Sequence, residues 1–180
     1  KLEQVSTCQL SHDKIWCSII IGIKMSNKNE VCELLDKLTL EMLHLLEEEV
    51  QCKINIEKIT KEANVELARA RYVKGQQTVS VLQLPTEKST EFEALTKVVP
   101  QDSLDVLSSK YDLDIRQADK DKGEVDPLKW FGVLVPQSLQ KAQKLFKKSL
   151  EYVIECRNVH GQLQSALEGI RVLNMTKDSF

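Results

Sequence analysis

The residues able to do chemistry in this chain are five cysteines, three histidines and many carboxylates, and their spacing argues against most of the chemistry they permit. Cys8, Cys17, Cys32, Cys52 and Cys156 are odd in number and scattered, with no Cys-x-x-Cys pair. They read as reduced thiols of a cytosol-facing protein rather than as a disulfide framework. His12, His44 and His160 each stand alone, so no His or Cys partners recur at the spacing of a zinc site. Asp112, Asp114, Asp119 and Asp121 alternate superficially like a calcium loop, but the turn glycine and the closing bidentate glutamate are missing at loop spacing. No phosphate-binding Gly-rich loop, nucleophile elbow or His-centred triad occurs, and six glycines are too few for most cofactor loops. The carboxylates fall on helix surfaces or in a polar middle stretch, where nothing fixes their geometry or tunes their pKa. The expectation is a non-enzyme with no cofactor and no metal.

The elements that would have to position any site are mostly helical. Aromatic residues make up only 5% of the chain, and Gly and Pro number six and four, a balance that favours helices over a β-sandwich. A net charge of −2, with no interleaving of basic and aromatic residues, gives no footprint for nucleic acid.

From Asn29 to Lys74 the apolar residues alternate in steps of three and four: Val31, Leu35, Leu38, Met42, Leu45, Cys52, Ile56, Ile59, Ala63, Ala70 and Val73. Only Glu49 and Glu66 interrupt this coiled-coil seam, and Gly75 supplies a helix stop. A helix of 46 residues would extend roughly 70 Å, so it needs a partner helix along its length. Glu47, Glu48 and Glu49 read as a solvated face beside the seam interruption. At the helix end, Ala68 and Ala70 allow close approach, Arg69 and Arg71 point to different faces, and Tyr72 is either a packing anchor or a surface residue.

The middle breaks the pattern. Thr78 to Leu84 is β-compatible, and Phe92 to Val99 is apolar, helical or extended, ending at Pro100. From Gln76 to Asp126 there are eleven acidic against six basic residues, whereas Pro127 to Phe180 has eight basic against four acidic. The acidic part reads as a solvated, partly disordered linker.

Residues 126–146, DPLKWFGVLVPQSLQKAQKLF, concentrate bulk and helix signals. Asp126 with Pro127 has the form of an N-cap and first helical residue, and Gly132 of a stop. Between them one turn carries Leu128, Trp130 and Phe131; an extended bridge Val133 to Val135 follows, and Pro136 opens a second helix. That helix is expected to reach about Asn174, with Leu139, Ala142, Phe146, Ser149, Val153, Cys156, His160, Leu163, Leu167 and Ile170 on its seam. Leu145, Leu150, Ile154, Val159, Ala166 and Leu173 widen the stripe and suggest contact with more than one helix. Gly161 marks either a bend or a close backbone contact. Lys141, Lys144, Lys147 and Lys148 make a basic surface that reads as a solvated face. Trp130 and Phe131 either plug the end of the hairpin or meet a partner.

The fold expected is mainly α: two long helices in an antiparallel coiled-coil hairpin, with a small irregular or β-containing middle. Residues 25–75 form the first helix, 76–125 the middle, and 126–180 the Trp-containing turn and second helix. Residues 1–24 include an apolar run from Ile15 to Ile23 that is too short to span a bilayer. Capping residues follow Met25 directly, so Met25 is the expected start and residues 1–24 a non-native or disordered N-terminal extension.

LARARYVKG with QTVSVLQLP behind it, and then DPLKWFGVLVPQSLQKAQKLF, resemble the coiled-coil domain-containing 115 family of vacuolar-type ATPase assembly factors. The likeness is specific at Ala68, Ala70, Arg71, Tyr72 and Gly75. It is specific again at Asp126, Pro127, Leu128, Trp130, Phe131, Gly132, Leu134, Val135, Pro136, Ser138, Leu139, Ala142 and Gln143, and the motif runs on to Phe146. The resemblance implies a non-catalytic assembly factor for the membrane-embedded proton-conducting sector of the pump. It implies peripheral attachment at the cytosolic face of the endoplasmic reticulum through a membrane-spanning assembly partner, with further contact to membrane-sector subunits. The rival reading is a generic coiled-coil tether or homodimer.

Overall fold

The structure, a computed structural model, describes residues 27–87, 89, 92–101, 110–119 and 124–179. Met25, Cys8, Cys17, His12, Asp121 and the run Ile15 to Ile23 lie outside the described residues.

The first helix, α1, spans Lys28–Lys74. The Asn27 carboxamide caps it by accepting from the Asn29 amide at 3.1 Å. At the other end the Gly75 amide donates to the Arg71 carbonyl at 2.9 Å, with Gly75 at φ +91°, the left-handed stop that only glycine adopts without strain. Each step of the predicted seam from Val31 to Ala70 falls on a buried or half-buried residue, Glu49 and Glu66 included. Val73 is the exception, at 70% exposed: it lies past Ala70, the last seam residue that the following chain covers.

The second helix, α2, spans Gln137–Asp178. Leu139, Ala142, Phe146 and Ser149 occupy the expected row, but Val153, His160 and Leu167 are exposed. Leu163 is buried as expected, and Val159, Ala166 and Leu173 are buried in place of the others. Past Ser149 the seam therefore takes one extra step of three, a local overwinding of the heptad pattern. The physical reason is the polar His160 in the predicted row: the neighbouring row offers Val159, Ala166 and Leu173, which lose nothing by leaving water. Gly161 is buried within the unbroken helix.

Two compact units are built on these helices. In one, the part of α1 up to Glu47 packs on α2 from Gln162 onward, with Val31, Leu35, Leu38 and Leu173 buried together and Leu34 and Ile170 against them. The other, Glu48–Gly161, contains the rest of both helices and everything between. There Glu49 meets His160 while Ala70 meets Leu139, so α1 and α2 run antiparallel, as a hairpin requires.

Among its described residues the middle segment contains a two-stranded sheet, the β-containing middle expected from the sequence. Strands β1 (Thr96–Pro100) and β2 (Tyr111–Ile115) pair antiparallel, with Pro100 opposite Tyr111. The extended alternative for Phe92 to Val99 is thus the one adopted from Thr96 onward. β2 lies inside the acidic stretch: Tyr111, Leu113 and Ile115 alternate with Asp112 and Asp114, a two-residue period that net charge conceals. The β-compatible run Thr78 to Leu84 is corrected, since it forms turns and a short 3-10 helix at Val81–Gln83.

Bonds from the Gln101 amide to the Lys110 carbonyl and from the Arg116 amide to the Leu95 carbonyl place Pro100–Tyr111 at a non-hydrogen-bonded pair. The missing proline amide costs the ladder nothing there. Tyr111 therefore directs its own amide and carbonyl away from β1, and Asn158 of α2 satisfies both, at 2.9 Å each. The Arg157 guanidinium lies 5.3 Å from the centre of the Tyr111 ring. Asn158→Ala is expected to cost about 1–3 kcal/mol by orphaning two backbone groups. Amide exchange should accelerate across Val98 to Leu113 while helical circular dichroism is unchanged.

Candidate functional site

The junction that leads into α2 is built around Asp126. Its Oδ1 accepts from the Leu128 amide at 3.0 Å, capping the 3-10 helix Pro127–Phe131, and from Gln143 Nε2 of α2 at 2.9 Å. One carboxylate oxygen thus fixes both the turn and its docking on the helix. Pro127 occupies the first position, where no amide is needed. Gly132, at φ +111°, closes the turn with its amide donating to the Lys129 carbonyl. The Pro136 carbonyl accepts from the Leu139 and Gln140 amides and starts α2.

The turn covers a small apolar cluster in which Ala70, Val79 and Leu139 are buried, with Leu67, Leu128, Phe131 and Val135 packed against them. Arg71 Nε donates to the Val79 carbonyl at 3.2 Å, which holds the segment after Gly75 against α1. Trp130 is half-buried and meets Phe92 edge to face, with centroids 5.2 Å apart. Around this cluster several apolar side chains stand in water: Tyr72 is 92% exposed, Leu82 85% and Val133 99%.

A second built feature is Glu49, which occupies a seam position yet is buried. Its Oε1 lies 2.7 Å from Lys53 Nζ and 3.3 Å from His160 Nδ1. The Lys53 hydrogen bond outweighs burial and holds the Glu49 carboxyl below the ordinary glutamate range, with His160 adding to it. Glu49 thereby corrects the reading of the three glutamates as one solvated face; Glu47 and Glu48 are exposed as expected. Nearby, burial pushes the Cys52 thiol up, and the Glu155 carboxylate adds to the shift. A thiol held protonated is a poor nucleophile and metal ligand.

Among the described residues no group of His, Cys, Asp and Glu is placed to hold a metal ion. A shallow groove on α1, lined by Lys53, Ile56, Glu57, Thr60, Lys61 and Asn64, lies along one helix face and gathers no acid–base pair beyond the Glu57–Lys61 ion pair.

Of the residues singled out from the sequence, the structure gathers Arg71, Gly75, Asp126, Pro127, Phe131, Gly132, Pro136 and Leu139 at this corner. Tyr72 projects away from it, Trp130 packs on Phe92 beside it, and Phe146 is half-buried farther along α2, its carbonyl accepting from the Ser149 hydroxyl. Sequence reasoning missed Asn158, Phe92 and Val79, whose roles depend on contacts between segments distant in the chain. Glu49 was the legible one, as a single carboxylate in an otherwise apolar seam.

A two-helix hairpin with a capped, packed corner and a small β-hairpin defines the class. Residues 86–149, which include both strands, the Trp130 turn and the start of α2, match the Vma22/CCDC115 family model. The chain is 25% identical over 176 residues to the Danio rerio vacuolar ATPase assembly protein VMA22, covering 75% of this chain and 84% of that one. It is 28% identical over 162 residues to the Mus musculus protein of the same name, covering 77% and 90%. The Homo sapiens protein is 26% identical over 161 residues, covering 76% and 89%. These likenesses bear out the family resemblance drawn from the two junction motifs.

Asp126→Ala removes a cap and a tie to α2 together, and is expected to lower stability by about 1–2 kcal/mol in thermal or urea unfolding. The lowered pKa of Glu49 sets a pH window: its stabilisation is fully present above the unfolded glutamate value, about 4.3, and is lost as pH falls through the lower folded value. Glu49→Gln should therefore flatten the acid limb of the pH dependence of the melting temperature, below the unfolded glutamate value, relative to the unsubstituted chain.

Proposed function

We propose that this protein is an assembly factor of the vacuolar-type ATPase, with its scaffold serving recognition rather than catalysis. The observation that carries the reading is the location of the family match: residues 86–149 span the β-hairpin, the Trp130 turn and only the first turns of α2, so the match does not rest on the long heptad run of α1 that any tether would share. The relatives, aligned over 84–90% of their own length, are named for assembly of that ATPase. The proposed client is the membrane-embedded proton-conducting sector. The proposed location is the cytosolic face of the endoplasmic reticulum membrane, held there peripherally by a membrane-spanning assembly partner. No helix among the described residues is long and apolar enough to cross a membrane. Leu40, Leu43 and Leu46 on the outer side of α1 are 60%, 53% and 40% exposed, an apolar face suited to a further helix. Arg71, Tyr72, Gly75, Asp126, Pro127, Trp130, Phe131, Gly132, Pro136, Leu139 and Phe146 are proposed as the structural and recognition motif.

Affinity purification from detergent-solubilised membranes tests this. The chain is expected to recover a membrane-spanning assembly partner and membrane-sector subunits, and cells lacking it should acidify their organelles poorly. Trp130→Ala should remain folded, because Trp130 packs on the half-exposed Phe92 rather than in the buried cluster, and should lose the partner. A folded chain that recovers neither partner nor pump subunits, and runs as a stable homodimer in solution, would sink the proposal and favour a generic tether.

A further inference from the structure

Three pairs of apolar side chains surround the Ala70–Val79–Leu139 cluster without joining it. Tyr72 and Val73 are 92% and 70% exposed, Val81 and Leu82 76% and 85%, and Val133 and Leu134 99% and 79%. Each pair lies within three residues of a cluster member: Ala70 for the first, Val79 for the second, Phe131 and Val135 for the third. All three therefore belong to one corner of the molecule. Their near-complete exposure also says what they are not, because a side chain lining a preformed groove is partly covered by the opposite wall. They project singly from a helix end, a 3-10 turn and a bridge.

The two stretches of chain that carry these pairs are basic. Between Leu67 and Thr86, and again between Pro127 and Leu150, the chain has eight basic residues and no Asp or Glu. Lys74 and Lys129, both exposed, make no ion pair among the described residues, and they sit beside the Tyr72–Val73 pair and in the turn before Val133. Exposed Lys141, Lys144 and Lys148 continue the positive surface along α2. The carboxylates that flank these stretches at the corner are engaged, Asp126 by Leu128 and Gln143 and Glu66 by Arg69, while exposed Glu87 follows the first stretch.

We propose that this corner docks directly on an anionic phospholipid surface, with Tyr72, Leu82, Val133 and Leu134 entering the headgroup–acyl boundary while Lys74 and Lys129 face lipid phosphates. Singly projecting aliphatic and aromatic side chains ringed by cations suit a fluid surface that moulds around each of them. A rigid protein partner would have to supply a matching pocket for each. Net positive charge around the patch selects anionic over zwitterionic lipid. This attachment is separate from the one through a membrane-spanning partner and does not rest on the assembly reading.

The test is co-sedimentation of the purified full chain with phosphatidylcholine vesicles containing or lacking phosphatidylserine. Binding is expected only with phosphatidylserine and should weaken steeply as salt is raised. Leu82→Asp combined with Leu134→Asp, both at exposed positions, should leave circular dichroism unchanged and weaken binding by roughly tenfold or more. Lys74→Glu with Lys129→Glu should weaken it comparably, roughly tenfold at low salt. Absence of binding to phosphatidylserine vesicles overturns the proposal, as does binding that neither pair of substitutions alters. Should the chain instead self-associate, with the aspartate variant halving its mass and no vesicle binding, a second copy covers the corner and the lipid proposal is wrong.

Discussion

A helix of 47 residues with an apolar residue at every third or fourth position has no way to cover its own stripe, and this constraint governs the rest of the chain. Fully burying a side chain such as Val31 or Leu38 contributes about 1.5–3 kcal/mol, and only a second helix offers enough continuous surface to do so along the whole seam. Within the Glu48–Gly161 unit α2 therefore returns antiparallel to α1, and the chain between them must pack against the pair. The β-hairpin and the Asp126 turn are the solutions to that closure. Each ties the intervening chain to α2 by a polar side chain, Asn158 for β2 and Gln143 for the turn.

The polar ties matter because an apolar seam is tolerant of sliding. A heptad stripe shifted by seven residues buries much the same area, whereas a carboxylate or amide with a single complementary partner does not survive the shift. Glu49 with His160 is one such marker in the Glu48–Gly161 unit, and Asn158 with Tyr111 is another. Glu49 sits where leucine would pack, so its contribution lies in alignment more than in net stability. Lys53 and His160 keep its carboxylate ionised despite burial.

The long α1 seam, both of its caps, the Asp126–Pro127 turn and the Gly132 stop were legible in the sequence because they follow from local rules: periodicity, capping and the freedom of glycine. The course of the α2 seam past Ser149 was not, since its widened stripe offers two rows, and only the cost of burying His160 selects between them. β2 was hidden for a different reason: composition averaged over the acidic stretch obscured five alternating residues. Asn158 had no signal at all. An asparagine in a helix reads as surface, and its role exists only once β2 lies beside α2.

The same logic separates the corner's inside from its outside. Phe131, Leu128 and Val135 cover Ala70, Val79 and Leu139, so the closure of the hairpin is complete without Tyr72, Leu82, Val133 or Leu134. A chain selected for closure alone would place polar residues at those four positions, because exposed apolar side chains there contribute nothing to the cluster. They lie beside residues the fold does require, in two stretches, 67–86 and 127–150, that hold eight basic residues and no acidic one. The corner combines two demands on neighbouring residues: an inner face that closes the hairpin and an outer face left available for contact.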